Sequence, residues 1–247
     1  MFANAHAHLR GDLDAAIQRA KDSEVEIILN AGIDPPSSLD AVEVAKAYDI
    51  VYACVGIHPW NADQFDQTSH KILRDLTREE RVVAISEVGL DFVARMDPVT
   101  WTRGEPLPKE LQHNAFLSQV KLAKDVELPI ILHANAAHPE VLATLREEGA
   151  SEVGGAIHGF NGNLTFAKEY LNLGFCLSVG RAITTPENIT LQNVVKEVPI
   201  DRLLVETDGG EPADVKAVAE KVAELKGISL EEVGRITTST LKSLLGM

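Results

Sequence analysis

Two histidines one residue apart, His6 and His8, close the first apolar run of the chain. On a strand alternate side chains share a face, so both imidazoles point the same way and can grip one divalent ion. Taken alone, the pair fits a hydrogen-bonded structural couple as well as half a metal site. Four more residues of ligand type tip the balance: Glu87, His133, His158 and Asp208 each stand at the downstream end of a short apolar run. Glu87 follows Val82-Val83-Ala84-Ile85-Ser86, where an unpaired carboxylate would cost several kcal/mol and a bound cation would offset it. A salt bridge from Glu87 to a neighbouring lysine or arginine is the plainer alternative, but it leaves the histidines unexplained. Four imidazoles and two carboxylates suffice for two divalent ions about 3.5–4 Å apart sharing a bridging carboxylate, the arrangement of metal-assisted hydrolysis.

Other polar residues have weaker claims. His58, in Gly56-Ile57-His58-Pro59, is expected to support the site or touch substrate. Asp34, Asp91 and Asn161 also fall near strand ends, whereas His70, His113 and His138 read as solvated surface groups.

Elements must deliver these residues to one place. Apolar runs of strand length alternate with longer amphipathic segments, the pattern of repeated βα units. The predicted strands are Phe2–His8, Glu26–Ala31, Val51–Gly56, Val82–Glu87, Ile130–His133, Gly155–His158, Phe175–Val179 and Leu203–Glu206. Helical patterns cover Leu13–Lys21, Ser38–Tyr48, Thr68–Glu79, Lys109–Val126, Pro139–Glu147, Leu164–Leu173, Glu187–Glu197 and Ala213–Lys226. In the fourth, Leu111, Ala115, Leu117, Val120, Leu122 and Ala123 form an apolar stripe that leaves Gln112, Lys121 and Lys124 to solvent. A last helix, Ser229–Leu245, opens on a capping-box pattern with Glu232 and packs outside. Eight such units in one domain spanning residues 1–247 predict an α/β fold, a (β/α)8 TIM barrel with its site at the C-terminal strand ends. An open doubly wound sheet is the alternative, but it gathers its site at one crevice. The stretch from Asp91 to Pro108 is long enough to be a functional lid or mobile segment.

The formal charge of −14 argues against a broad basic face for nucleic acid or anionic membrane. Cys54 and Cys176 lie inside separate apolar runs and read as buried thiols. With no basic leader and no membrane-length apolar run, the expected setting is cytoplasmic, with a monomer favoured.

With these residues assembled, the chain resembles the TatD family of metal-dependent hydrolases within the amidohydrolase-like barrels. Asn4-Ala5-His6-Ala7-His8 is similar to the family's D-x-H-x-H, Gly56-Ile57-His58-Pro59 to its GxHP turn, and Ser86-Glu87-Val88-Gly89-Leu90-Asp91 to its GEIGLD signature. Leu128-Pro129-Ile130-Ile131-Leu132-His133, His158-Gly159-Phe160-Asn161-Gly162 and Glu206-Thr207-Asp208 follow in the family's order. The resemblance implies that His6, His8, Glu87 and Asp208 hold a first ion, and Glu87, His133 and His158 a second, each magnesium, manganese or zinc. It also implies hydrolysis of DNA phosphodiesters, with Asp208 and Glu87 catalytic. Four departures stand out: Asn4 for the Asp, Asn135 for the arginine of H-x-R, Gly209-Gly210-Glu211-Pro212 after the ETD signature, and Thr237-Thr238-Ser239-Thr240 without an asparagine. Asn135 cannot offer a bidentate cationic grip on phosphate. Arg95, Arg103 or Arg181 on loops near the mouth could supply that charge instead, beside Asn135 and His58 as substrate contacts. Asn135 and the acidic charge motivate a second expectation, an amide or ester hydrolase such as an acyl-tRNA deacylase or small-molecule amidohydrolase; a non-catalytic metal-binding interaction module is a third, and retention of all six ligand positions speaks against it.

Overall fold

The computed structural model describes residues 1–93, 95–96 and 103–247. Its strands are β1 (Phe2–Ala7), β2 (Val25–Ala31), β3 (Val51–Val55), β4 (Val82–Asp91), β5 (Arg95–Met96), β6 (Arg103–Gly104), β7 (Ile130–Asn135), β8 (Gly155–Ile157), β9 (Cys176–Val179) and β10 (Leu203–Val205). The helices are α1 (Leu13–Asp22), α2 (Pro35–Ala47), α3 (Gln67–Leu76), α4 (Lys109–Val126), α5 (His138–Glu147), α6 (Leu164–Asn172), α7 (Ile189–Glu197), α8 (Val215–Lys226) and α9 (Leu230–Leu245). Eight strands form one parallel sheet in the order β1-β2-β3-β4-β7-β8-β9-β10. The two ends meet through a parallel bridge between Ala7 and Asp208, where Asp208 N donates to His6 O (3.0 Å) and His8 N to Asp208 O (3.1 Å). That seam turns the sheet into the expected (β/α)8 barrel and rules out the open sheet.

Local chemistry starts α1, α3 and α9 within a residue of where the pattern placed them, and α2 three residues before the expected Ser38. Asp12 caps α1 by accepting from Ala15 N, and Asp34 and Asp66 make reciprocal capping boxes with Ser37 and Ser69 at α2 and α3. Asp34, a weak site candidate, is thereby spent as a cap. Ser229 accepts from Glu232 N to start α9, which lies against β1, β10 and α8 and sends Leu241 into the apolar cluster of Ala3, Ala5, Ile27, Leu29 and Leu204. Between strands and helices sit the largest buried side chains, Tyr170, Phe116, Phe160 and Phe175. Cys54 and Cys176 are buried free thiols, as expected. Among the described residues, no helix is long and apolar enough to cross a membrane.

Three expectations change. β4 runs on to Asp91 and β7 to Asn135, beyond the predicted ends at Glu87 and His133, because the two strands stay paired through Asp91–Asn135. Gly89 makes that approach feasible: with φ at +148° and His133 O only 1.9 Å from where a Cβ would sit, no side chain fits. In α4 the stripe is rotated, with Leu111 exposed and Gln112 buried. The amide of Gln112 pairs with both backbone groups of Asp91 (2.8 and 2.9 Å), and buried Gln119 does the same for Ile57 (2.7 and 3.0 Å). These bonds satisfy loop backbone that apolar side chains could not. Finally, β5 and β6 form a short antiparallel pair within the long excursion, which the sequence reading missed. The lid expectation for that excursion falls partly outside the described residues.

Candidate metal centre

All six predicted ligands meet at the C-terminal mouth of the barrel. His6 is the last residue but one of β1 and His8 follows the strand, Glu87 lies within β4, His133 within β7, His158 just after β8 and Asp208 in the turn after β10. Glu87 stands between two groups of ligand atoms. Its Oε2 is 3.5 Å from His6 Nε2 and 3.2 Å from His8 Nε2, which lie 3.4 Å apart, and Asp208 Oδ1 is 3.4 Å from His8 Nε2 and 3.9 Å from His6 Nε2. Its Oε1 is 2.8 Å from His158 Nε2 and 3.7 Å from His133 Nδ1, which lie 3.0 Å apart. The His6 and His158 rings stack with centroids 4.1 Å apart, so the two groups abut.

These separations suit a cation. Four ligands placed tetrahedrally about 2.0–2.1 Å from a zinc ion are about 3.3 Å from one another. Proton positions point the same way. His8 Nδ1 lies 2.9 Å from Ala31 O, an acceptor only, so it carries the hydrogen and leaves the Nε2 lone pair facing the centre. His133 turns Nε2 to Asp91 Oδ2 (3.1 Å) and so aims the lone pair of Nδ1 inward. His158 Nδ1 faces the buried carboxylate of Glu206 at 3.6 Å, beyond hydrogen-bond reach, so the carboxylate acts through its charge and favours the same tautomer. The lone pairs of His8, His133 and His158, converging on one buried carboxylate, form a set that a divalent ion completes.

In the metal-free protein, protons take that place. Burial would lower the His8 pKa, but the Asp208 and Glu87 carboxylates prevail and raise it to about 10. Burial also disfavours a charged His158, yet Glu87 and Glu206 raise it well above its usual value. Glu87 is held well below the carboxylate range, since the surrounding imidazoles, His158 foremost, outweigh its burial. Burial, followed by the neighbouring His158, lowers His6.

His58 behaves differently. Its Nδ1 accepts from Trp60 N (3.0 Å), so the neutral ring carries its hydrogen on Nε2, which points at Glu87 Oε1 from 3.8 Å. Burial pushes its pKa down to about 3, which keeps it neutral. It therefore turns a neutral N–H toward Glu87 from beyond hydrogen-bond reach, and at 3 % exposure it has little surface to offer a substrate.

The remaining candidates divide. Asn135 is near the centre, its Nδ2 3.4 Å from Asp91 Oδ2. Arg181 is exposed on the rim after β9. The side chains of Arg95 and Arg103 lie outside the described residues, although their backbone forms β5 and β6. His138 corrects an expectation: it is buried, not solvated, with Nδ1 3.1 Å from Tyr170 Oη and Nε2 2.9 Å from Asn161 Oδ1.

Sequence reasoning undervalued three residues. Asp91 accepts from Trp60 Nε1 (3.0 Å) and orients His133, and its pKa is lowered because the His133 and Val93 N–H contacts outweigh its burial. Glu206 accepts from Gly159 N (2.6 Å) and Ser178 Oγ while facing His158. Asn4 ties the barrel seam, accepting from Thr207 N (3.2 Å) and donating to Thr207 Oγ1 (2.7 Å). The alternation of strand faces could have found two of them: Asn4 with His6 on β1 and Asp91 with Glu87 on β4 are each an even number of positions apart, whereas Glu206 lies beyond the end of β10.

Comparison with known proteins agrees with this geometry. The family described as TatD related DNase matches residues 3–246. The uncharacterized metal-dependent hydrolase YabD of Bacillus subtilis is 39% identical over 261 residues, covering 99% of this chain and 98% of its own. Deoxyribonuclease TATDN3 of Homo sapiens is 28% identical, covering 98% and 94%. The crystal structure of YJJV, a TatD homolog from Escherichia coli, superposes with a TM-score of 0.89 at 26% identity, covering 100% and 98%.

Proposed function

The chain belongs to the TatD family of metal-dependent hydrolases, and we propose that it cleaves DNA phosphodiesters using two divalent ions held at the barrel mouth. The observation that carries this reading is Glu87, whose two oxygens face two separate sets of lone pairs, His6, His8 and Asp208 on one side and His133 and His158 on the other. Glu87 would thus help to hold both ions, one with each set. Bound there, such ions would acidify a water molecule and offset negative charge growing on the phosphoryl oxygens.

The chain's own groups do the rest. Asp208 is the most accessible member of the cluster, its side chain 59 % exposed, and its pKa is lowered because His8 and the other imidazoles outweigh its partial burial. It is ionised at neutral pH and placed to take the proton of an attacking water. The water oxygen bonds to phosphorus, the bond from phosphorus to one sugar oxygen breaks, and that oxygen leaves with a proton from solvent, giving a phosphomonoester and an alcohol. Asp91, Glu206 and Ala31 O hold the imidazoles in the tautomers this requires. The deoxyribonuclease name of the human relative supports the choice of DNA.

The test is hydrolysis of bis-p-nitrophenyl phosphate and of end-labelled oligonucleotides, with elemental analysis of bound metal. We expect about two ions per chain, activity abolished by chelation and restored by manganese, and at least a hundredfold loss of kcat in Asp208→Asn. Activity that survives chelation would refute the reading. Turnover of acyl esters or amides but no phosphodiester would replace the substrate class, and metal without any turnover would favour an interaction module.

A further inference from the structure

We propose that Arg10 and Arg181 form a phosphate clamp on either side of Asp208, receiving a nucleic-acid strand beyond the bond to be cut; this rests on the phosphodiesterase reading above. A protein of formal charge −14 repels a polyanion unless cations line the approach, and Asn135 leaves β7 without one. Among the described residues, Arg10 and Arg181 are the cationic side chains on the loops that directly follow the eight barrel strands. Both are exposed, and neither guanidinium makes an ion pair or hydrogen bond with another described residue.

That freedom is unusual at this rim. Arg10 lines two cavities that open on either side of His8, of about 270 and 190 Å³. Three of the four carboxylates on their walls are already engaged: Asp12 and Asp34 cap α1 and α2, and Glu211 holds Arg19 at 2.8 Å; the fourth, Asp40 on α2, makes no ion pair with Arg10. The charge of Arg10 is left for something that arrives.

Arg181 approaches from the opposite side of the same turn. Its guanidinium lies against Gly210, so that a Cβ built there would be only 3.4 Å from Cζ and 3.5 Å from Nε. Gly209 and Gly210 also wall the larger Arg10 cavity. The glycine pair after Asp208, a departure from the family pattern, thus forms a low saddle between two guanidiniums. Two of the departures then belong together: positive charge absent from β7 stands on the seam between β9, β10 and β1. Guanidinium is the suitable group, because its planar fork can grip two phosphate oxygens at once. Two forks flanking the reacting position serve a strand with phosphates on both sides, whereas a simple diester offers a single phosphate.

The experiment compares wild type with Arg10→Gln, Arg181→Gln, the double variant and Arg10→Lys, all at exposed positions. Two readouts are used: the ratio of kcat/KM for a single-stranded oligonucleotide to that for bis-p-nitrophenyl phosphate, and anisotropy binding of a labelled single-stranded oligonucleotide in EDTA at low salt. We expect the ratio to fall about tenfold per arginine, mainly through KM, with partial recovery in Arg10→Lys. In EDTA the double variant should bind at least tenfold more weakly, and its log–log salt slope should be shallower by about 1.4, or 0.7 per phosphate contact on a single strand. A ratio unchanged in the variants, when the wild type cleaves both esters, overturns the clamp and leaves the phosphodiesterase reading standing. Failure of the metal-loaded wild type to cleave either ester defeats that reading instead, and the EDTA binding then judges the clamp alone. Wild-type binding no tighter than that of the double variant overturns it.

Discussion

Replacing Glu206 by glutamine tests whether a buried charge outside the ligand set controls the metal centre. The glutamine amide would have the same shape, keep an oxygen for Gly159 N and present an NH2 that Ser178 Oγ can accept, so the local hydrogen bonds survive. What disappears is a negative charge 3.6 Å from His158 Nδ1. At that 3.6 Å distance two unit charges attract by roughly 4–5 kcal/mol with an effective dielectric of about 20. An imidazole bound to a cation carries only part of a unit charge at Nδ1, so a third to a half of that figure applies. The result is about 1.3–2.5 kcal/mol, or a loss of metal affinity of roughly tenfold to seventyfold. The assay is a manganese or zinc titration by calorimetry on wild type and Glu206→Gln, with circular dichroism to establish that both are folded. Affinity unchanged within twofold would refute the idea that Glu206 polarises His158. Loss of folding together with affinity would show that Glu206 serves Gly159 and Ser178 instead.

Metal should also stabilise the fold, because its ligands come together only in the native chain. At a hundredfold excess over Kd the gain is about 2.7 kcal/mol, raising Tm by roughly 5–10 °C for a chain of this size, and calorimetry with and without chelator checks it. The pKa of His8, raised to about 10, has a definite sign. Its contribution to the metal-free protein is complete below the unfolded value near 6.5 and is lost as pH rises through about 10, so urea stability after EDTA treatment should fall between pH 7 and 10. Metal affinity should rise over the same interval, with proton release seen by titration in two buffers, since a ligating imidazole must first lose its proton. Gln112→Leu strands the N–H and C=O of Asp91 without partners and should cost about 2–4 kcal/mol, measurable as a lower urea midpoint with unchanged m.

Much of the molecule is written locally. The βα alternation, the even spacing of His6 and His8, the capping aspartates and the position of each candidate ligand in the downstream part of a strand or just after it are properties of short segments. Hydrophobic periodicity and backbone chemistry suffice to read them, and through them the (β/α)8 barrel and the six residues at its mouth. What the sequence could not decide depends on contacts between distant segments. Gln112 looks like a solvated helix residue until the end of β4 presents unpaired backbone beside it, and His138 looks exposed until Tyr170 and Asn161 approach from α6 and the loop after β8. Which nitrogen of His8, His133, His158 and His58 carries the hydrogen is set by Ala31 O, Asp91, Glu206 and Trp60 N, each contributed by the fold and invisible to spacing. The placing of Arg10 and Arg181 on either side of Asp208 likewise exists only because the barrel closes between β10 and β1, bringing residues far apart in the chain to one rim.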